Sequence, residues 1–435
     1  MTSRVHEIRD PIHGFILFDD FEREVINSRP VQRLRDIKQL GTTYLLYPGA
    51  THVRFEHALG VMHLATRVFD LVRREDRCDG QIADEMGWRG HDSPTTVERH
   101  RRTLRLAALL HDIGHLPFSH TSERLCSERR PGHESYTENL MRQGWLADLL
   151  AHCPVHVDVR DVVSVALGGA ASHADRADLS HYQAQVLSDM IAGDLGADRM
   201  DYLLRDAHHT GAAYGRFDIE RLVHTLRLTH DPAGNPMYAI EEGGVHAAEG
   251  LILARYFMFE QVYHHHVRRV YDLHLGDFLG TWLPGGVFPV DLDVFLSLQD
   301  SHVNVAMAEA AANGRNPGRD HARRILERDH FRLAYEVRPE DEGTLVGLFD
   351  YIRNELCRCD EGLLFDDLKR EETTLRIPYV GRDDKPGKVE ERSGVSSLIT
   401  FPHRRVFAPQ EQVEEIRSRC ENIAATLREA RNGQG

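Results

Sequence analysis

The chain has 435 residues, 41% of them hydrophobic and 28% charged, the size and balance of a globular protein with one large core or two to three domains. Its net charge of −15 argues against nucleic acid or a membrane surface as a partner, because both are polyanionic. No apolar run approaches the roughly eighteen residues of a membrane span. The start, Met1-Thr2-Ser3-Arg4-Val5-His6-Glu7, carries no apolar leader, so a cytoplasmic location is expected. Six scattered cysteines, of which only Cys357 and Cys359 are close, read as reduced structural thiols. The 28 histidines invite a search for a metal site with nitrogen ligands.

In chain order, Asp10-Pro11-Ile12-His13-Gly14 predicts a turn and Phe15 to Phe18 a short strand. Ser28 before Pro30 starts a helix that Gly41 stops, with Val31, Leu34 and Ile37 at helical spacing. From Thr51 to about Arg74, Phe55, Ala58, Leu59, Met62, Ala65, Phe69 and Val72 recur as one apolar stripe, with His57 beside it. The polar stretch from Asp76 to His100 is expected to be a surface excursion. Leu104 to Leu110 then form an apolar helical run that Gly114 and Pro117 break, which leaves His111 and Asp112 at its buried end. Ionised groups there are usually paired or bind a metal.

Further on, Gly132-His133-Glu134 opens a helix. In the helix after Gly196, Asp198, Tyr202 and Asp206 share one face, and Asp201 and Arg205 are spaced to pair on another. A long aromatic helix is expected from Gly250 to about Phe278, carrying Arg255, Phe259 and Tyr263 four apart. Within it, His264-His265-His266 reads as surface or interface with a single inward member. Pro284-Gly285-Gly286 is the expected boundary, giving a core at 1–283 and an oligomerisation or regulatory region at 284–435. In that region helices are followed by short strands at Leu375 to Val380, Ser397 to Phe401 and Arg405 to Phe407, then a charged helix from Pro409 to about Arg431. Glu340-Asp341-Glu342 reads as a solvated loop. The fold class is mainly α, with a smaller α+β C-terminal part.

Taken singly, His57, His111, Asp112 and Asp198 each read as a hydrogen-bonded polar group at a helix end. Together, two imidazoles and two carboxylates suit a first-row ion such as Mn, Fe, Zn, Co or Ni better than Ca, which prefers oxygen alone. Such a set leaves positions for water and a substrate oxygen, which is a hydrolytic arrangement.

The order His, His-Asp, Asp over a helical core resembles the HD-domain phosphohydrolases. The strings Gln39-Leu40-Gly41, Tyr47 to Gly60, His111 to His120 and Asp198-Arg199-Met200-Asp201-Tyr202 resemble the deoxynucleoside triphosphate triphosphohydrolases among them, closest to the catalytic core of the SAM-and-HD-domain dNTPases. The likeness covers about residues 5 to 280, with no SAM domain expected before it. It implies an HD-domain helical core and hydrolysis of dNTPs to deoxynucleoside and inorganic triphosphate. His57, His111, Asp112 and Asp198 would hold the divalent metal, with Mg carried by the nucleotide as a further ion.

By the same resemblance His115, His120, His133 and Glu134 surround the phosphates, His120 and His133 being first choices for general acid. Arg54 and Arg255 would grip the triphosphate, Tyr202, Asp206 and Tyr263 line the sugar and base, and Gln39 and Leu40 form the floor that disfavours a 2′-hydroxyl. A homo-oligomer, dimer or tetramer, and a nucleotide effector are implied too. At the implied allosteric positions Gln32 and Arg35 are in place. Asn27 stands where an aspartate would read guanine and His6 where a lysine would contact phosphate, which puts activation by a guanine nucleotide in question. Arg199 replaces a lysine and keeps its charge. Two other readings remain: an HD-type phosphodiesterase or nuclease acting on cyclic nucleotides or single-stranded nucleic acid, and a nucleotide sensor that no longer cleaves. The residues do not choose between dNTP pool balance and antiviral defence.

Overall fold

The computed structural model describes residues 4–90, 93–129, 131–168, 178–342, 345, 347–358, 362–368, 377–381, 386–389, 392–393, 395 and 403–432. It is mainly helical with small sheets, as expected. Two compact units are interleaved along the chain. One takes Met1–Met258, Phe288–Ser301 and Thr374–Ser397, the other Phe259–Val287, His302–Thr373 and Leu398–Gly435. Among the described residues no helix is long and apolar enough to cross a membrane.

The first unit begins with an antiparallel hairpin, His6–Asp10 against Gly14–Phe18. The Asp10 carboxylate ties its turn by accepting the N–H groups of Ile12 and His13, both at 2.9 Å. Gly14, at φ 77°, supplies the left-handed residue the reversal needs. The helix expected from Ser28 to Gly41 is only Arg29–Arg33 followed by a 3-10 turn, Leu34–Asp36. It stops because the next backbone groups are claimed elsewhere. Arg54 N–H bonds the Ile37 carbonyl and Gln39 N–H bonds the His52 carbonyl, each at 3.0 Å, and Lys38 N–H donates to the Asp300 carboxylate at 3.0 Å.

The amphipathic helix forms as Arg54–Val72, with its apolar stripe buried, and packs along Ser93–Leu110. That second helix corrects the expected surface excursion, which holds both Gly80–Glu85 and the first turns of Ser93–Leu110. Its polar residues have partners inside the fold. The buried Trp88 indole donates to His100 Nδ1 at 3.1 Å, Arg105 bonds Glu22 at 2.6 and 2.7 Å, and Arg102 pairs with Asp19. Compensated in this way, charged side chains occupy positions that apolar periodicity cannot flag.

The Ala197–Thr210 helix lies across Arg54–Val72. A four-stranded sheet runs in the order Leu226–His230, Pro236–Glu241, Pro378–Val380, Pro386–Lys388, so a late piece of chain completes an early one. Of the strand expected at Leu375 to Val380, residues 375 and 376 lie outside the described residues, as does the strand expected at Ser397 to Phe401.

In the second unit a three-stranded antiparallel sheet, Arg332–Glu336, His403–Ala408 and Leu364–Leu368 in that order, packs Tyr335 and Val406 with Phe349, Ile352, Ile416 and Cys420 of the helices Leu348–Cys357 and Val413–Asn432. The helix His266–Trp282 packs on Arg319–Leu326 across Pro284-Gly285-Gly286, so the boundary expected at 283/284 falls inside this unit. The long helix expected from Gly250 to Phe278 is two, Val245–Met258 and His266–Trp282. A π-turn at Phe259–Tyr263 follows the first, and His265 starts the second by accepting Val267 N–H. His264, His265 and His266 are all half-buried. Glu340, exposed as expected, and the two residues after it do not form a loop. They belong to the short helix Pro339–Glu342, and Asp341 is buried against Arg428 at 2.8 Å. Cys78, Cys126, Cys153, Cys357 and Cys420 are free thiols, and Cys359 lies outside the described residues.

Candidate metal centre and its surroundings

Three helices bring the four expected ligands together. His57 lies in the first turn of Arg54–Val72, His111 and Asp112 follow the end of Ser93–Leu110, and Asp198 is in the first turn of Ala197–Thr210. His57 Nε2 is 3.0 Å from Asp198 Oδ1 and 3.8 Å from Asp112 Oδ2. His111 Nε2 is 3.4 Å from Asp112 Oδ1 and 3.8 Å from Asp198 Oδ1.

Both ring orientations are set from behind. His111 Nδ1–H donates to the Ala108 carbonyl at 2.8 Å, and His57 Nδ1–H donates to Asp201 Oδ2 at 2.8 Å. Each imidazole therefore presents Nε2 to the centre, and His111 Nε2 is buried with no hydrogen-bond partner among the described residues. An orphaned, inward-facing imidazole nitrogen beside two carboxylates fits a divalent cation. Electrostatics agree. Burial opposes a charged His57 ring, yet the carboxylates of Asp198 and Asp201 overcome it and push its pKa up to about 10. Asp198 and Asp112 are both held below the ordinary carboxylate range, burial being outweighed by the histidines and, at Asp112, by Arg54. The pocket calls for positive charge.

A second cluster adjoins it. His115, His120, Glu123 and His133 place their donor atoms within 4.8 Å of one another. Glu123 Oε1 takes the Nδ1 atoms of His133 and, at 3.2 Å, of His120, while the His115 ring stacks on His133 with centroids 3.9 Å apart. Burial pushes the Glu123 carboxyl up, but the bonds from His120 and His133 overcome this and hold it well below its usual range. His115, wholly buried and close to Arg54, is held well below the ordinary imidazole value. Gly114 permits the close packing, since a Cβ there would lie 2.2 Å from the His133 carbonyl. The carboxylate in this cluster is Glu123, which sequence reasoning missed. Glu134 is exposed on the first turn of its helix.

The remaining expected residues divide. Arg54 is buried, donates to Ser119 Oγ at 2.9 Å and pairs with Asp112. Arg255 donates to the Tyr202 hydroxyl at 2.9 Å. Asp206 is buried and accepts His52 Nε2–H at 2.7 Å. Gln39 and Leu40 are buried, and the Gln39 side-chain carbonyl has no hydrogen-bond partner among the described residues. Tyr263 belongs to the second unit, edge-on to Phe259. Asn27 is exposed and lines a cavity of about 750 Å³ with Trp145 and Leu296. Gln32 bonds the Ile26 carbonyl at 2.8 Å, and Arg35 bonds Gln32 and stacks on Phe55. His6 bonds Asp20 at 2.7 Å, and Arg199 bonds Asp194 at 2.9 Å.

A helical core that gathers two imidazoles and two carboxylates around a cation-seeking centre, with protonatable groups beside it, defines a metal-binding hydrolase. The HD domain matches residues 54–205, from Arg54 to Arg205, and the HD associated region matches 217–357. The chain belongs to the HD-domain phosphohydrolase family, which also holds the proteins named SAMHD1 deoxynucleoside triphosphate triphosphohydrolases. It is 36% identical to the uncharacterized protein YwfO of Bacillus subtilis over 60% of this chain and 52% of that one. It is 25% identical to the Dictyostelium discoideum deoxynucleoside triphosphate triphosphohydrolase SAMHD1 homolog over 87% of this chain and 69% of that one. A crystal structure of a hypothetical protein from Aquifex aeolicus superposes with a TM-score of 0.76 at 30% identity, covering 96% of this chain and all of that one. The chain spans about half the length of the first curated relatives it matches.

Proposed function

We propose that the protein hydrolyses deoxynucleoside triphosphates to deoxynucleoside and inorganic triphosphate. The observation that carries this reading is the juxtaposition of the His57, His111, Asp112, Asp198 centre with the His115, His120, Glu123, His133 cluster: a cation site flanked by a proton relay. His57, His111, Asp112 and Asp198 would hold a divalent ion, whose Lewis acidity would serve to polarise a phosphoryl oxygen and activate water. The similarity to relatives named deoxynucleoside triphosphate triphosphohydrolases supports the choice of substrate.

The chain's own groups then have definite work. Arg54, fixed by Ser119 and beside Asp112, offers its guanidinium to the α-phosphate. Water adds to the α-phosphorus as the bond to the 5′ oxygen breaks. A protonated imidazole of the relay, His120 or His133, gives its proton to that oxygen, and the Glu123 carboxylate holds the imidazolium beforehand. Gln39, with its free side-chain carbonyl, and Asp206, fixed by His52, present acceptors to sugar hydroxyls. Leu40 fills the space a 2′-hydroxyl would need. Self-association into a dimer or tetramer and an effector nucleotide near Asn27, Gln32 and Arg35 belong to the same proposal.

The test is product analysis with Mn²⁺ and each dNTP, singly and in mixtures. Nucleoside and triphosphate in equal amounts are expected. Release of pyrophosphate or monophosphate, or cleavage of oligonucleotides in preference to dNTPs, overturns the reading.

A further inference from the structure

Behind the metal centre lies a buried chain of contacts that reaches the N-terminal hairpin. His57 Nδ1–H donates to Asp201 Oδ2 at 2.8 Å, and the other oxygen of the same carboxylate, Oδ1, lies 2.6 Å from His13 Nε2. Arg205 grips Asp201 side-on, Nε to Oδ2 and Nη2 to Oδ1, both at 2.9 Å. Its remaining nitrogen, Nη1, donates at 2.8 Å to Oδ2 of Asp10, whose Oδ1 holds the backbone N–H of His13. The circuit closes on itself: turn, Asp10, Arg205, Asp201, His13. The four side chains in it are buried, those of Asp201 and Arg205 completely. The helix that carries His57 leaves room for it only because residue 60 is glycine, since a Cβ there would lie 2.0 Å from Asp201 Oδ1 and 2.4 Å from Arg205 Nη2.

We propose that His13 is a positioning residue for the metal centre: through Asp201 it fixes the tautomer and direction of the His57 ring, and so sets the protein's affinity for its divalent ion. A carboxylate only accepts hydrogen bonds, so contact with Asp201 places the His57 proton on Nδ1 and leaves the Nε2 lone pair facing Asp112 and Asp198. Arg205 holds both Asp201 oxygens from one edge, and His13 gives Oδ1 a further partner as His57 gives Oδ2 one, so the carboxylate is braced against tipping away from the His57 ring. The hairpin turn thus belongs to the metal site, although it is 44 residues from His57 and 188 from Asp201 in sequence.

This inference rests on the metal-site reading above, and the experiment separates the two. The full chain is stripped with chelator and titrated with Mn²⁺, free ion being followed by its paramagnetic resonance signal. Melting of the ion-free protein is recorded alongside. Wild type is expected to bind, whereas His13→Leu, which has no donor, is expected to bind about 10–100-fold more weakly, the usual cost of removing an outer-shell partner. His13→Gln, whose amide donates from nearly the same place, is expected to recover most of the affinity. A purely structural His13 lowers the melting temperature of the ion-free protein and leaves Mn²⁺ affinity at the wild-type value, and that result overturns the inference. If His13→Leu does not fold, His13→Asn, with an amide too short to reach Asp201, takes its place with the same two outcomes. A wild type that binds no Mn²⁺ overturns the metal-site reading itself.

Discussion

Removing the Asp300 carboxylate is expected to loosen the loop that joins the two clusters of the site. Asp300 is 2% exposed, and its two oxygens accept the backbone N–H of Phe118 at 2.7 Å and of Lys38 at 3.0 Å. The first of these bonds secures an unusual turn, because Phe118 and Ser119 both sit at φ 58°, a left-handed region that costs a residue with a Cβ about 1–2 kcal/mol. Asp300→Ala leaves two buried donors without acceptors, at about 1–3 kcal/mol each. Burial pushes the Asp300 carboxyl up, so part of that loss is returned when the charge is removed. A net destabilisation of about 3 kcal/mol follows, a fall in Tm of about 3–5 °C for a fold of this size. The loosened turn carries Ser119, the partner of Arg54, so dNTP turnover is expected to fall by about tenfold or more even where the protein stays folded. Thermal melts and rate measurements on Asp300→Ala and Asp300→Asn test this, with Asn, which keeps one acceptor, falling in between. An Ala variant that melts within about 2 °C of wild type with unchanged turnover would refute the reasoning.

In the ion-free protein His57 is raised to about 10, so its bound proton favours the folded state below the unfolded value and this contribution is lost as pH rises through about 10. An incoming ion must displace that proton. Mn²⁺ affinity is therefore expected to rise about tenfold per pH unit over the accessible range above pH 6.5, and a flat titration series contradicts it. Glu123→Gln is expected to lower turnover by about 10²–10⁴-fold while Mn²⁺ content, read by elemental analysis, stays unchanged. Turnover within threefold of wild type rules out the relay. Because the folded Glu123 carboxyl is held below its ordinary value of 4.5, its stabilisation is present above that value and lost as pH falls through the lowered one. Wild type and Glu123→Gln are accordingly expected to converge in Tm in acid, and a gap that persists undiminished at the acid limit of folding contradicts the pairing.

What the sequence revealed follows from the range of the forces involved. The Arg54–Val72 helix is legible because its apolar residues repeat at the helical period, the partly exposed Glu56, His63, Arg67 and Asp70 forming one narrow strip. The four candidate ligands are legible as a group because each sits at or near a helix end within a recognisable string. Glu123 is not, since it lies in the 3-10 segment Ser119–Leu125, where no periodicity marks which side faces in. His13 reads as turn chemistry alone, and no motif surrounds Asp300. Their partners are 188 and 182 residues away, and only tertiary packing brings them together. Polar residues read as solvated are buried where the fold compensates them, as with His100, which accepts the Trp88 indole N–H, and Asp341, held by Arg428.

The interleaving of the chain has a consequence for biosynthesis. The strand Pro378–Val380 lies parallel to Pro236–Glu241 and is followed by its own antiparallel neighbour, and the segment that supplies Asp300 and the Leu298 carbonyl bonded by Arg33 emerges after a long detour through the other unit. A nascent polypeptide leaving the ribosome cannot finish the catalytic body when the HD segment has been made. It must wait until Lys388 has been added, and a gene fragment cut after the HD segment would encode a body with an open sheet edge and an unanchored loop at Phe118 and Ser119.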